Sequence, residues 1–191
     1  MRKIIVSAFL TLDGVMEDPG GGEGFEHGGW SFPFFNEEYM KYKRDELFDS
    51  GALLLGRVTY QGFAAAWPSR KSDDDFADRM NSLPKYVVSS TLEELEWNNS
   101  ILIKGNIAEA LNELKRQPGQ DILVAGSRQL VHMLMQHDLI DEYRLMVHPV
   151  VLGSGKRFFQ EGTGKKVMTL VETKTFRSGI VVLTYRPDRK E

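Results

Sequence analysis

Residues 53–63 read LLLGRVTYQGF. Three successive leucines need a strand covered on both faces, as in a parallel sheet. Gly56 ends that run, Arg57 follows, and a helix is expected from about Thr59 to Ala66, stopped before Pro68. The same order returns at residues 121–131, DILVAGSRQLV. There an apolar strand over Asp121–Ala125 meets Gly126, a hydroxyl at Ser127 and a helix running to Gln136. A helix start leaves its first N–H groups without intrahelical partners and carries partial positive charge. Taken singly, each corner reads equally well as a tight turn with an N-cap. Together, at strand ends of one small sheet, they make a seat for the two phosphates of a pyrophosphate. Gly56 and Gly126 would admit a ligand to the backbone, Arg57 can fork onto a phosphate, and Thr59 can donate a hydroxyl.

Outward from these corners, the chain alternates strand and helix. Lys3–Leu10 is a nearly continuous apolar strand. Residues 14–34 hold seven glycines and two prolines, a loop long enough to serve as a lid or binding loop. Phe35–Phe48 has helical spacing and Gly51 stops it; the strand Ala52–Leu55 follows. Lys71–Asp78 is a charged loop or short helix, and Asp73, Asp74 and Asp75 within it read as a solvated run, not a metal site. Strands are expected at Lys85–Ser89, Ile101–Lys104 and Tyr143–Val151, with a helix at Ile107–Arg116. The tail forms a β-hairpin turning at Ser178–Gly179. This alternation predicts one α/β domain over residues 1–191, with a mostly parallel central sheet sandwiched by helices and an antiparallel C-terminal hairpin. Ligands in such sheets sit beyond the carboxyl ends of the strands.

Composition narrows the function classes. A chain of 191 residues, 41% hydrophobic and 27% charged, suits a soluble globular protein, and a net charge of −3 gives no reason to expect nucleic acid or an anionic membrane as partner. With no cysteine, disulfides, thiolate nucleophiles and Cys-ligated metals are excluded; a cytoplasmic location fits. The start, MRKIIVSAFLTLDG, mimics a signal peptide, but Asp13 and the lack of a cleavage site favour a buried first strand. His27, His132, His137 and His148 are scattered without ligand spacing, so no metal is expected.

A third stretch, KYVVSST, ends a strand in Ser89, Ser90 and Thr91. These hydroxyls can cap a helix, with Glu93 or Glu94 completing a capping box. They can equally line a pocket for an adenosine ribose or its 2′-phosphate, with Arg57 as the cation. Neither glycine corner matches GxGxxG or a P-loop. Taken with VSAFLTLDGVM at the start and ILVAGSRQLVHMLMQHDLIDEYRLMVHPVVLGSGKRFF near the end, these segments resemble the dihydrofolate reductase-like superfamily. More closely, they are similar to the C-terminal reductase domain of the bifunctional riboflavin-biosynthesis deaminase-reductase, from about Arg2 to Arg186.

The resemblance implies NADPH as cofactor, lying across the strand ends. Gly56, Arg57, Val58 and Thr59 would meet its phosphates from one side, and Gly126, Ser127, Arg128 and Gln129 from the other. Ser89, Ser90 and Thr91 would surround the adenosine end. Asp13, Gly14 and Val15 would lie beside nicotinamide and substrate, with Asp13 as substrate partner or proton relay; an Asx turn is the plainer reading of that residue. Two departures bear on substrate. Folate reductases place a carboxylate early in the first helix, where Met40 falls here, with Glu37 and Glu38 one turn before. The riboflavin branch typically has Glu-Gly-Gly where this chain has Ala125-Gly126-Ser127. The expectation is therefore an NADPH-dependent reductase of a small heterocyclic or imine-type molecule, possible substrates including 5-amino-6-(5-phosphoribosylamino)uracil. Dihydrofolate reduction and a non-catalytic NADP-binding or regulatory module are the rivals, and a homodimer is the preferred assembly.

Overall fold

The computed structural model describes residues 1–70 and 75–188. Its elements are β1 (Ile4–Thr11), a short 3-10 helix (Phe32–Phe34), α1 (Glu37–Phe48), β2 (Ser50–Gly56), α2 (Arg57–Ala66), α3 (Asp75–Ser82), β3 (Lys85–Val88), β4 (Ser100–Ile103), α4 (Ile107–Arg116), β5 (Asp121–Gly126), α5 (Arg128–Gln136), β6 (Glu142–His148), β7 (Met168–Thr175) and β8 (Val181–Pro187). The strands form one eight-stranded sheet in the order β4-β3-β2-β5-β1-β6-β8-β7. Pairings β1–β5, β2–β5, β2–β3 and β3–β4 are parallel, while β6–β8 and β7–β8 are antiparallel. The expected mostly parallel sheet with a terminal antiparallel hairpin is what the chain forms. Among the described residues no helix is long and apolar enough to cross a membrane. Of the charged run expected from Lys71, residues 71–74 lie outside the described residues.

The chain divides into two compact units: Met1–Val6 with Lys43–Ile140, and Ser7–Tyr42 with the chain from Asp141 onward. In the first unit, Ala52, Leu53, Leu54 and Leu55 are all buried, as an apolar run without alternation requires. One core gathers Leu53, Leu55, Tyr60, Leu83, Val87, Trp97 and Leu123. The helix after Gly56 begins at Arg57, two residues before the expected Thr59. No helix follows Ser89–Thr91, contrary to the capping-box alternative. Ser89 Oγ instead accepts the N–H groups of Thr91 (3.2 Å) and Leu92 (3.0 Å), closing a turn on itself.

That helix-free connection is anchored by Lys85, which is fully buried. Its Nζ donates to the carbonyls of Asn81 (2.6 Å), Leu83 (2.9 Å) and Asn98 (3.1 Å) and lies 4.2 Å from the Trp97 ring centroid. An ammonium has three donors, and all three are used. Burial pulls its pKa down to about 8. Trp97 is fixed in turn, donating its indole N–H to Asn81 Oδ1 (2.8 Å) and its backbone N–H to Tyr60 Oη (3.0 Å).

In the second unit, Tyr39, Met146, Phe176, Ile180 and Val182 form the core. The hairpin turns where expected, with Gly179 at φ +89° and its N–H donating to Phe176 O (2.9 Å). β6 stops at His148, short of the expected Val151, because Pro149 has no N–H for a ladder. The glycine-rich segment is an ordered strap wound on Asp18, which is buried at φ +47°. The Asp18 carbonyl accepts from Gly21 N (3.2 Å) and Gly29 N (2.9 Å), and its carboxylate accepts from Glu23 N (3.1 Å). Gly28 packs so closely that a Cβ there would stand 2.3 Å from Asp18 Oδ2. Trp30 then donates its indole N–H to Glu17 O (2.8 Å), tying the end of the strap to its beginning.

Candidate functional site

The two glycine corners meet. Parallel pairing sets Leu55 opposite Gly126, so β2 and β5 end side by side. A Cβ on Gly56 would lie 2.2 Å from Ser127 Oγ and 3.0 Å from Ser127 Cβ and N. Reciprocally, a Cβ on Gly126 would lie 2.8 Å from Thr59 Oγ1, and Gly126 sits at φ +142°, a conformation side chains rarely take. Each corner thus reserves the space of a missing side chain for the other, and the starts of α2 and α5 are held together. The N-caps of both helices, Gly56 and Ser127, make no side-chain capping bond. Their first N–H groups keep their donor capacity beside the strand ends.

A cleft of about 430 Å³ opens there, lined by Gly56, Arg57, Val58, Val88, Ser89, Ser90, Thr91, Lys104, Gly105, Ile107, Ser127, Gln129, Leu130 and Met133. Of the expected residues in this unit, it brings together Gly56, Arg57, Val58, Ser89, Ser90, Thr91, Ser127 and Gln129. Thr59, Gly126 and Arg128 stand outside the lining, the first two behind it in the contact just described. Arg57 is exposed, its guanidinium donating to Gln61 Oε1 (3.2 Å) one turn along α2.

Sequence reasoning missed Lys104, Gly105 and Ile107. They form a third corner, at the end of β4, where Gly105 takes φ +78°. The signal was present as IKGNIAEA, another apolar strand with glycine, cap and helix. Here the helix start is closed, because Asn106 Oδ1 accepts Glu109 N–H (3.3 Å). What this corner offers the cleft is the Lys104 ammonium, exposed and, among the described residues, without a hydrogen-bond or ion-pair partner.

Asp13, Gly14 and Val15 belong to the second unit. Asp13 accepts from Thr11 Oγ1 (2.6 Å), Leu152 N (3.3 Å) and Gly153 N (2.8 Å). The Thr11 hydroxyl does most to hold the Asp13 pKa below the usual carboxylate range; partial burial opposes it, and the Gly153 and Leu152 N–H groups reinforce it. The carboxylate is therefore ionised at neutral pH and holds three donors, a latch between the β1 turn and residues 152–153. Thr11 Oγ1 also accepts Val15 N (2.9 Å), Gly14 O accepts Phe158 N (2.9 Å), and Val15 bridges Arg157. Glu37 and Glu38 are exposed at the start of α1, where Glu38 accepts Arg177 N (2.9 Å).

Residues 2–182 match the family model described as the RibD C-terminal domain. The uncharacterized protein YyaP of Bacillus subtilis (strain 168) is 33% identical over 187 residues, spanning 96% of this chain and 94% of that protein. A Shewanella sp. PV-4 protein named for riboflavin biosynthesis superposes with a TM-score of 0.76 at 22% identity, over 98% of this chain and 99% of its own. The Thermotoga maritima diaminohydroxyphosphoribosylaminopyrimidine deaminase/5-amino-6-(5-phosphoribosylamino)uracil reductase gives a TM-score of 0.65 at 14% identity. That match takes in 97% of this chain and 56% of the larger protein. These structural likenesses establish the α/β fold, and the family match bears out the resemblance drawn from the four segments.

Proposed function

The chain belongs to the RibD C-terminal domain family, and from that premise we propose that it is an NADPH-dependent reductase of a small heterocyclic or imine-type substrate. The observation that carries this reading is the interlock of Gly56 with Ser127 and of Gly126 with Thr59. It holds two uncapped helix starts at the wall of one cleft, and a pyrophosphate is the ligand whose two charges such a pair suits. The fit extends along the cleft. Arg57, first residue of α2, serves the pyrophosphate. Ser90, Thr91 and Lys104, at the ends of β3 and β4, suit a ribose carrying a 2′-phosphate. Val88, Ile107, Leu130 and Met133 give the apolar surface that an adenine needs.

Bound NADPH would supply a hydride from its nicotinamide C4 to an electrophilic C=N or C=O carbon. The chain's own part is binding and orientation. In this reading Asp13 is a positioning residue, setting Gly14 and Val15 beside the substrate. A latch already ionised and triply hydrogen-bonded has no proton to give, so solvent is the better proton source. The Thermotoga relative's name suggests a phosphoribosylaminouracil as one substrate to try. Dihydrofolate reduction and cofactor binding without turnover are the competing outcomes.

The test is NADPH titration by nicotinamide fluorescence, then substrate screening by loss of NADPH absorbance. Binding weaker than about 1 mM, roughly −4 kcal/mol, would end the proposal. Tight binding with no oxidation across the panel would point to the non-catalytic module. Arg57→Ala should weaken NADPH and NADH alike if Arg57 holds the pyrophosphate.

A further inference from the structure

Among the buried titratable groups to which the reductase reading gives no task, one stands among aromatic rings. His148, at the end of β6, is fully buried in the second unit. Its Nδ1 lies 2.9 Å from Met146 O and 3.2 Å from Leu10 O. Carbonyls only accept, so Nδ1 carries the proton and Nε2 is the bare nitrogen. Nε2 is itself buried and has no hydrogen-bond partner among the described residues. Three aromatic rings surround the imidazole edge-to-face: Phe9, Trp30 and Phe34, with centroids 5.7, 5.1 and 5.7 Å away. Phe9 belongs to β1; Trp30 and Phe34 belong to the end of the glycine-rich strap. The imidazole is thus the point where strap, β1 and β6 converge.

Among the described residues, no charged side chain acts on that ring. From β1 it meets Phe9 and the Leu10 carbonyl, from β6 the Met146 carbonyl, and from the strap only Trp30 and Phe34. From α1, Tyr39 approaches Phe9, with ring centroids 5.8 Å apart. The strap's titratable groups sit elsewhere: Glu17 pairs with Lys156, Asp18 accepts backbone N–H groups, Glu23 lies near both carboxylates, and His27 pairs with Glu26 at the surface.

We propose that His148 is a pH-operated clasp for the strap, holding Trp30 and Phe34 against β1 and β6 while neutral and releasing them when protonated. Protonation creates a second N–H at Nε2, where no described residue offers an acceptor, and a charge with no counter-ion among them. Attraction between the cation and the three rings offsets only part of its lost hydration. Water reaches Nε2 only if an aromatic wall withdraws, and the strap supplies two of the three walls. Burial holds the His148 pKa below its usual 6.5, although the bonds to Met146 and Leu10 oppose that shift. The clasp is therefore shut at neutral pH and opens only on acidification.

The indole N–H of Trp30, bonded to Glu17 O, reports the closed strap. Its ¹H–¹⁵N cross-peak and the His148 ring nitrogens can be followed together by NMR through the histidine titration range. Solvent exchange of the Trp30 indole proton, corrected for intrinsic pH dependence, should rise at least about tenfold with the His148 midpoint. His148→Asn, which offers a donor but cannot titrate there, should remove the transition. If that variant does not fold, agreement or disagreement of the two wild-type midpoints still decides. His148 titrating while Trp30 exchange stays flat would overturn the clasp. So would a transition that persists in His148→Asn, or one abolished by Glu23→Gln, which would assign it to the strap's own carboxyls. NADPH binding does not enter this test, so its result is independent of the reductase reading.

Discussion

Gly56→Ala tests the interlock directly. The residue has φ −80° and ψ 164°, an extended conformation alanine adopts freely, so its cost is steric and not conformational. The new Cβ would lie 2.2 Å from Ser127 Oγ, but that hydroxyl makes no capping bond and can rotate away. Contacts of 3.0 Å to Ser127 Cβ and N remain, tighter than the 3.4–4 Å of ordinary van der Waals contact. The two corners must separate by a few tenths of an ångström. Overpacking of this kind costs about 1–3 kcal/mol, offset by roughly 0.4–1 kcal/mol from the stiffer unfolded chain. A net loss of about 1–2 kcal/mol corresponds to a Tm lower by roughly 2–8 °C for a chain of this size. NADPH affinity should fall about tenfold, since 1.4 kcal/mol of spoiled phosphate geometry is a factor of ten. Ser127→Gly removes Oγ and Cβ, leaving only the backbone N at 3.0 Å. In a double-mutant cycle it should recover at least half of both losses, read by urea denaturation and fluorescence titration. A Gly56→Ala protein with wild-type stability and affinity, or a double mutant no better than the single, would refute the interlock.

Further outcomes concern single charges. Lys104→Ala should weaken NADPH about tenfold or more, as loss of a charge-assisted hydrogen bond does, and leave NADH unchanged in the same titration; equal losses would remove Lys104 from the 2′-phosphate. Lys85 sheds its proton near pH 8 in the folded state, whereas an exposed lysine holds it to about 10.5, so stability should rise with pH across that window. Against Lys85→Met, the wild type should gain up to about 3 kcal/mol between those limits, measured by urea unfolding at fixed pH values; a flat difference would contradict the buried ammonium. Asp13→Asn should lower Tm at neutral pH. The lowered Asp13 pKa gives stabilisation above the carboxylate range that disappears in acid, so the two melting curves should converge as pH falls through that value.

The corners were legible because their signals are local. An apolar run such as Leu53–Leu55 can only be a covered strand, and a glycine followed by a helical pattern marks its end. The third corner was read through because Lys104 extends ILI as naturally as it ends it. Ser89–Thr91 stayed open between a helix cap and a pocket lining for a related reason: three hydroxyls suit either, and the turn closed by Ser89 Oγ rules out the cap. The anchor of that connection, Lys85, looked like the polar first residue of a strand. Its burial depends on carbonyls from Asn81, Leu83 and Asn98 converging on one point, which no spacing encodes. The seven glycines of residues 14–34 announced a loop but not its order, since the knot on Asp18 needs a positive φ that composition does not specify. The role of His148 was invisible for the same reason: its neighbours Phe9, Trp30 and Phe34 come from distant parts of the chain.

Lys85 also gives the protein an internal gauge of its own opening. Acylating reagents need an amine they can reach, and the folded chain presents Lys104 to them while withholding Lys85. Peptide mass spectrometry after brief acetylation would find Lys104 labelled on every molecule. Label on Lys85 would count only those molecules in which the segment between β3 and β4 had come away. The ratio of the two marks, followed with time, is a clock for local unfolding read from the chain's own lysines.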